Sequence, residues 1–149
     1  MDDIDERVAR LQTPEACEQF AINVEERGKP EVALKARRRA IELRAAAHGA
    51  NTQAEREALE AVYAYERVLS SNRGKKVKAS RTWQMIQRHG ILQAVERVVS
   101  RPEESMGYTE LIKMGLQDKA FEAVVLRHPE LFSADAVRRS QQRMRNRSA

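Results

Sequence analysis

A chain of 149 residues that is 42% hydrophobic and 33% charged has enough apolar side chains for one ordinary domain, or for two small helical subdomains that share an interface. Aromatic residues make up only 5%, and six glycines and four prolines are few, so the composition favours helices over strands and disorder. The single cysteine excludes an internal disulfide, and no apolar run approaches the roughly 20 residues of a membrane span. Because the start, MDDIDERVARL, is acidic and unlike a signal peptide, we expect a cytoplasmic location.

Two helices joined by a short turn are predicted first. One begins with Thr13 as its N-cap and Pro14 at the first helical position, and it ends at Gly28. The other runs from about residue 30 to 48. Apolar residues form one stripe on the first helix, and small residues form a seam on the second: Cys17, Phe20 and Val24, then Ala33, Ala36, Ala40, Leu43 and Ala47. Small residues allow close approach, so an antiparallel hairpin is predicted, and self-association into a homo-oligomer is compatible with the seam.

Residues 14–45 resemble one tetratricopeptide unit. Phe20 and Ala21 match the large and small pair of that family's first helix, and Ala33 and Ala40 match the small positions of its second. The chain departs from the family at two aromatic positions, which are Cys17 and Arg37 here. No second copy follows at a period of about 34 residues. The resemblance therefore implies a repeat-like hairpin within a larger helical domain. Independently of it, the stretch ARRRA spreads Arg37, Arg38 and Arg39 over most of a helical turn, and we expect at least one of them, foremost Arg37 on the seam side, to pair with a glutamate.

A third long helix is predicted after Asn51 or Thr52, either of which can act as its N-cap. Apolar residues at helical spacing form its inward face: Ala58, Val62, Tyr65 and Leu69. The stretch SSNRGKK then breaks the pattern. We expect a boundary there, between an N-terminal part (residues 1–72) and a C-terminal part (residues 73–149), unless the two form one continuous domain.

The second half is predicted to be a string of short helices. Four of the five are preceded by a residue suited to N-capping: Ser80, Thr109, Asp118 and Ser133. Gly90 separates two of these helices, and Pro102 ends the second of them. The sequence therefore predicts an all-α fold, a helical bundle with a repeat-like N-terminal hairpin and a C-terminal cluster of short helices.

Charge is distributed unevenly along the chain. Residues 73–101 hold eight basic side chains and one acidic, and residues 133–149 hold five and one, whereas the remaining segments have a net negative charge. A basic stripe of this kind is typical of proteins that bind polyanions. The residues expected to contact phosphates are Arg73, Lys75, Lys76, Lys78, Arg81 and Arg88, with Arg138 and Arg139 extending the surface if the last helix packs beside them.

The helix after the basic segment contains the only tryptophan. Trp83 and Ile86 lie three residues apart, which favours a core position for the tryptophan over a base-stacking platform, with its indole N–H bound to a nearby acceptor. The order helix, Gly90, helix also suggests a helix-turn-helix. Alignment on that glycine places Ile86 where a small residue is expected and Glu96 where an apolar one is expected, so a standard helix-turn-helix is disfavoured.

Residues suited to catalysis are few. His48, His89 and His128 lie at predicted helix ends, and none has another ligand at metal-binding spacing. Cys17 lies on an apolar stripe, and the chain has no phosphate loop or dinucleotide motif. We therefore expect no catalytic residue, no cofactor and no metal.

Two functional hypotheses remain, beside a solvated basic face that binds nothing. The first is a non-catalytic, nucleic-acid-associated protein that binds DNA rather than RNA, because exposed aromatic stacking platforms are few. The alternative is a helical adaptor module, in which the hairpin or the third helix contacts a protein and the basic segment binds an acidic protein partner.

Overall fold

The computed structural model describes residues 3–101 and 106–148. In these ranges the chain forms nine α-helices and no strand, which confirms the all-α prediction. Two short 3-10 turns, at Gln117–Lys119 and Pro129–Leu131, flank the eighth helix. The helices are α1 (Asp3–Ala9), α2 (Pro14–Glu26), α3 (Pro30–His48), α4 (Gln53–Arg73), α5 (Ser80–His89), α6 (Ile91–Val99), α7 (Met106–Lys113), α8 (Phe121–Arg127) and α9 (Ala134–Ser148). The expected helix stop at Pro102 lies outside the described residues.

The first compact unit ends at Gly49 and contains α1, α2 and α3. Thr13 caps α2 as predicted, because its hydroxyl accepts a hydrogen bond from the Ala16 N–H at 3.1 Å. Helices α2 and α3 pack against each other, and α1 also packs against α3. Arg37 forms a two-pronged ion pair with Glu25, at 2.7 and 3.1 Å, which confirms the expected glutamate partner. This pair lowers the pKa of the Glu25 carboxyl through its hydrogen bonds with the arginine.

The seam of α3 differs from the prediction in its second half. Ala33, Ala36 and Ala40 are fully buried, but Ala47 is exposed. The buried stripe continues through Ile41 and Ala45 instead, for two reasons. The predicted spacing averages 3.5 residues, whereas a straight helix repeats every 3.6. In addition, α3 has 19 residues and α2 has 13, so the last turn of α3 extends beyond the helix beside it.

The second compact unit begins at Ala50 and contains α4 to α9. Thr52 caps α4 by accepting a hydrogen bond from the Glu55 N–H at 3.1 Å. This helix packs against α6, α7 and α8. Its contacts place it with the residues that follow it, and the two compact units divide between Gly49 and Ala50. One cluster of its buried core is formed by Ala58, Ala61, Val62, Ala79, Val95, Val99, Phe121, Val124, Val125 and Ala136.

Of the four predicted caps in the second half, one is confirmed: the Ser133 hydroxyl accepts a hydrogen bond from the Ala136 N–H at 3.0 Å. Ser80 and Thr109 lie inside helices, and Asp118 lies in a 3-10 turn. Ala79 and Ala120 occupy the N-cap positions of α5 and α8 without a side-chain cap. At the start of α5, a contact distant in sequence is made instead: Glu66 of α4 accepts the Ala79 N–H. Near α8, Glu60 of α4 binds the side chain of Lys119 in the 3-10 turn. These three cap predictions were wrong.

Candidate nucleic-acid interface

The basic segment is displayed along a loop and the helix after it. Arg73 is the last residue of α4, residues 74–79 form the loop, and α5 begins at Ser80. Gly74 ends α4 in the left-handed conformation, with a φ of 68°, which residues with a side chain rarely adopt. The six cations predicted for this segment are all exposed: Arg73, Lys75, Lys76, Lys78, Arg81 and Arg88.

These six cations have no carboxylate partner among residues 6–101 and 107–145, whose side chains the structure describes. The first turn of α5 also contains no acidic residue. By contrast, several other arginines and lysines in the described part of the chain do form ion pairs, such as Arg127 with Glu57 at 2.5 Å. The loop and α5 therefore combine a high density of positive charge with free access to solvent.

Trp83 lies at the base of this loop, half-buried and packed against the core. Its indole N–H donates a hydrogen bond to Glu66 Oε2 at 2.6 Å. The same oxygen accepts the Ala79 N–H at 2.8 Å. The indole ring also packs on Tyr63, with 5.2 Å between ring centroids and an interplanar angle of 57°. Trp83 thus anchors the start of α5 to α4, as its spacing with Ile86 predicts.

A second contact holds the middle of the loop. The Ser70 hydroxyl accepts the Val77 N–H at 2.9 Å and lies 3.3 Å from the Val77 carbonyl oxygen, to which it donates. Sequence reasoning missed both Glu66 and Ser70. Their spacing of four residues places them on one face of α4, but only the position of the loop shows what that face binds.

The two C-terminal arginines of the predicted site have a nearby acidic partner. Arg138 and Arg139 both donate hydrogen bonds to Asp135, the second at 2.7 Å. These bonds hold the pKa of the Asp135 carboxyl below its usual value. Arg138 is exposed and Arg139 is half-buried. Their charge is therefore partly balanced within α9, unlike that of the six cations on the loop and α5.

Helix α6 packs against both α5 and α9. Just after α6, the Arg101 guanidinium donates to the Met85 sulfur on α5 at 3.7 Å, and the carbonyl oxygen of Arg101 accepts a hydrogen bond from Arg143 on α9. Arg101 therefore contacts α5 through its side chain and α9 through its carbonyl oxygen. Arg81, Met85 and Arg88 lie on one face of α5 because they are spaced by four and three residues.

The α5–α6 corner departs from a helix-turn-helix. A single residue, Gly90 with a φ of 90°, connects the two helices, whereas the DNA-binding motif uses a turn of about three or four residues. Glu96 of α6 accepts hydrogen bonds from the Ser133 N–H at 2.9 Å and the Ser133 hydroxyl at 2.7 Å. Part of the face that would read bases is therefore occupied by the start of α9.

The described residues contain no group of three or more His, Cys, Asp or Glu side chains placed to hold a metal ion. Cys17 is fully buried, and burial raises the pKa of its thiol. His48 and His89 are exposed, and His128 Nε2 lies 3.2 Å from Glu57 Oε2. Within the same ranges no helix is both long enough and apolar enough to cross a bilayer. No protein-family model, curated protein or solved structure matches the chain.

Proposed function

We propose that this protein is a non-catalytic, DNA-associated protein that contacts phosphates through the loop and α5. The observation that carries this proposal is the row of six exposed cations without a carboxylate partner in the described residues, displayed on a backbone tied to α4. Side chains of this kind bind phosphates and release condensed counterions, which supplies affinity that is independent of base sequence.

The aromatic residues favour duplex DNA over single strands or RNA loops. All seven aromatic side chains of the chain are buried or half-buried. Binding of single strands generally uses exposed aromatic rings, on which unpaired bases stack. Because the rings here pack inward, the affinity comes from phosphate contacts, which a regular duplex offers on both strands.

Low sequence specificity follows from the geometry of α6. The corner at Gly90 does not have the dimensions of a helix-turn-helix, and Glu96 is engaged with Ser133. A protein of this type associates with DNA of many different sequences.

Charge reversal tests the proposal. In Lys75→Glu/Lys76→Glu/Lys78→Glu, binding to labelled duplexes of unrelated sequence is expected to fall alike for all of them, because phosphate contacts carry no base information. The matched control reverses three exposed cations of the first unit, Arg27, Lys29 and Lys35, and is expected to leave binding largely unchanged. Fluorescence anisotropy at low salt measures both. A wild-type protein that binds no duplex under these conditions overturns the proposal.

The alternative function uses the same cations against an acidic protein. It is favoured by the α2–α3 hairpin, whose resemblance to a tetratricopeptide unit suggests a protein-binding module, and by the exposed side chain of Ile22 on α2. Recovery of one stable, nuclease-resistant protein partner, lost both in the lysine triple variant and in Ile22→Lys, supports the adaptor. Loss of all captured material on nuclease treatment supports DNA association.

A further inference from the structure

We infer that Glu66 and Ser70 are positioning residues of the phosphate-binding loop, an inference that rests on the proposed function. Both side chains lie on α4 and bind the loop backbone. Ser70 engages both polar groups of Val77, and Glu66 accepts the Ala79 N–H. The two anchor points flank a single residue, Lys78.

The anchors determine which way the loop lysines point. Val77 is half-buried and Ala79 is buried, whereas Lys78 between them is exposed. Lys75 and Lys76 occupy the short segment between Gly74, which ends α4, and the anchored valine. A loop held in this way loses less conformational freedom when it binds, and preorganisation of this kind raises affinity without adding a contact.

The carboxylate of Glu66 makes this inference testable by the sign of an effect. A negative charge beside a basic loop opposes polyanion binding if only charge matters, so its removal should then raise affinity. If the carboxylate acts by positioning the loop, removal of its acceptor atoms should lower affinity. An effect of charge therefore predicts higher affinity when the Glu66 carboxylate is removed, whereas an effect of position predicts lower affinity.

Two neutral variants separate the effects. Glu66→Gln removes the charge and keeps an acceptor oxygen, whereas Glu66→Met removes both with a similar side-chain length. Since the charge change is the same, the difference between them reports the hydrogen bonds alone. Ser70→Ala removes the second anchor, and Ser71→Ala, at an exposed position, is its matched control.

The experiment measures duplex DNA affinity by anisotropy over a salt series, with backbone amide exchange at Val77 and Ala79 as an independent readout. If the two residues position the loop, Glu66→Met should bind about fivefold more weakly than Glu66→Gln, and Ser70→Ala should bind more weakly than Ser71→Ala. The salt slopes should stay unchanged, because the phosphate contacts themselves are kept. Exchange at the anchored amides should rise in the two weaker variants.

The outcomes distinguish this inference from the proposed function. Equal affinities for Glu66→Met and Glu66→Gln, both above the wild type, overturn positioning while leaving DNA binding intact. Absence of wild-type binding overturns both. If Glu66→Met does not fold, as judged by circular dichroism, the Ser70 and Ser71 pair decides: equal affinities for these two variants contradict the inference.

Discussion

The indole N–H of Trp83 and the carboxylate of Glu66 are joined by a hydrogen bond of 2.6 Å between α5 and α4. The bond explains why the chain's only tryptophan lies next to its most basic stretch. The ring is an anchor that packs on Tyr63 and holds the start of α5, while the cations beside it stay in solvent.

Replacement of this anchor should lower stability. Trp83→Phe keeps an aromatic ring but removes the donor to Glu66, so we expect the free energy of unfolding to fall by about 1.5–3 kcal/mol, the usual range for hydrogen bonds to charged groups. Urea unfolding followed by circular dichroism measures the change. An unchanged unfolding midpoint would mean that the indole is a surface platform and not an anchor.

A buried ion pair between Lys119 and Glu60 offers a second test. The two charges lie 2.6 Å apart with side chains that are each 11% exposed. Lys119→Met leaves the carboxylate buried without its partner, so a loss of about 3 kcal/mol is expected. The double variant Glu60→Gln/Lys119→Met should lose less than the sum of the single variants.

The control for this cycle is the exposed pair of Lys113 and Glu110, at 3.5 Å. Its removal by Lys113→Met should change stability by no more than about 1 kcal/mol. Strict additivity in the buried cycle would contradict the direct coupling between Lys119 and Glu60.

Glu96 should contribute stability that acid removes. Partial burial acts to raise the pKa of its carboxyl, but hydrogen bonds from Ser133 and Ser100 outweigh burial, and the pKa is lowered overall. The contribution is therefore fully present above the unfolded pKa of about 4.3 and is lost as the pH falls through the lower folded value. Glu96→Gln should be less stable than the wild type near neutral pH, and the difference should shrink below about pH 4.

The check is a series of urea unfolding curves at stepped pH for wild type and variant. Glu26→Gln, at an exposed position, serves as the control. A stability difference that does not depend on pH would show that the carboxylate charge of Glu96 is not what binds Ser133.

Glu122 should show the opposite dependence on pH. It is 1% exposed, its Oε2 has no hydrogen-bond partner in the described residues, and burial raises the pKa of its carboxyl, although the charge of Arg143 partly offsets this effect. The folded state then holds its proton more tightly than the unfolded state. Stability should therefore fall as the pH rises from about 4.3 through the raised folded value.

Glu122→Gln should remove this loss, so that the variant gains on the wild type as the pH rises. Exposed Glu130→Gln is the matched control and should follow the wild type. Thermal unfolding across the same pH range measures both. A variant that instead loses stability relative to the wild type as the pH rises would indicate that Glu122 is held as a charged partner of Arg143.

Local patterns predicted much of the fold. The limits of α3, the caps at Thr13, Thr52 and Ser133, and an arginine–glutamate pair in the hairpin follow from residues close together in sequence or on adjacent helices. At α5 the predicted cap was wrong because a carboxylate of α4, Glu66, binds the backbone N–H at the start of the helix, a contact that periodicity within the helix does not reveal.

The candidate site was predicted only in part for the same reason. Its cations are contiguous in sequence, so composition reveals them. Its supports are not contiguous with them: Glu66 precedes Trp83 by 17 residues and Ala79 by 13. Such contacts exist only once the chain has folded, because nothing in a stretch such as YERVLSS indicates which backbone amides its side chains will bind.

The salt dependence of duplex binding tests the central claim most directly. Each phosphate contact contributes a slope of about −0.9 to a plot of log affinity against log salt concentration, so six cations on the loop and α5 predict a wild-type slope of about −5. The variant with Lys75, Lys76 and Lys78 replaced by glutamine should have a slope closer to zero by about 3. A wild-type slope near zero, or a slope unaffected by the three replacements, would contradict phosphate binding by this surface.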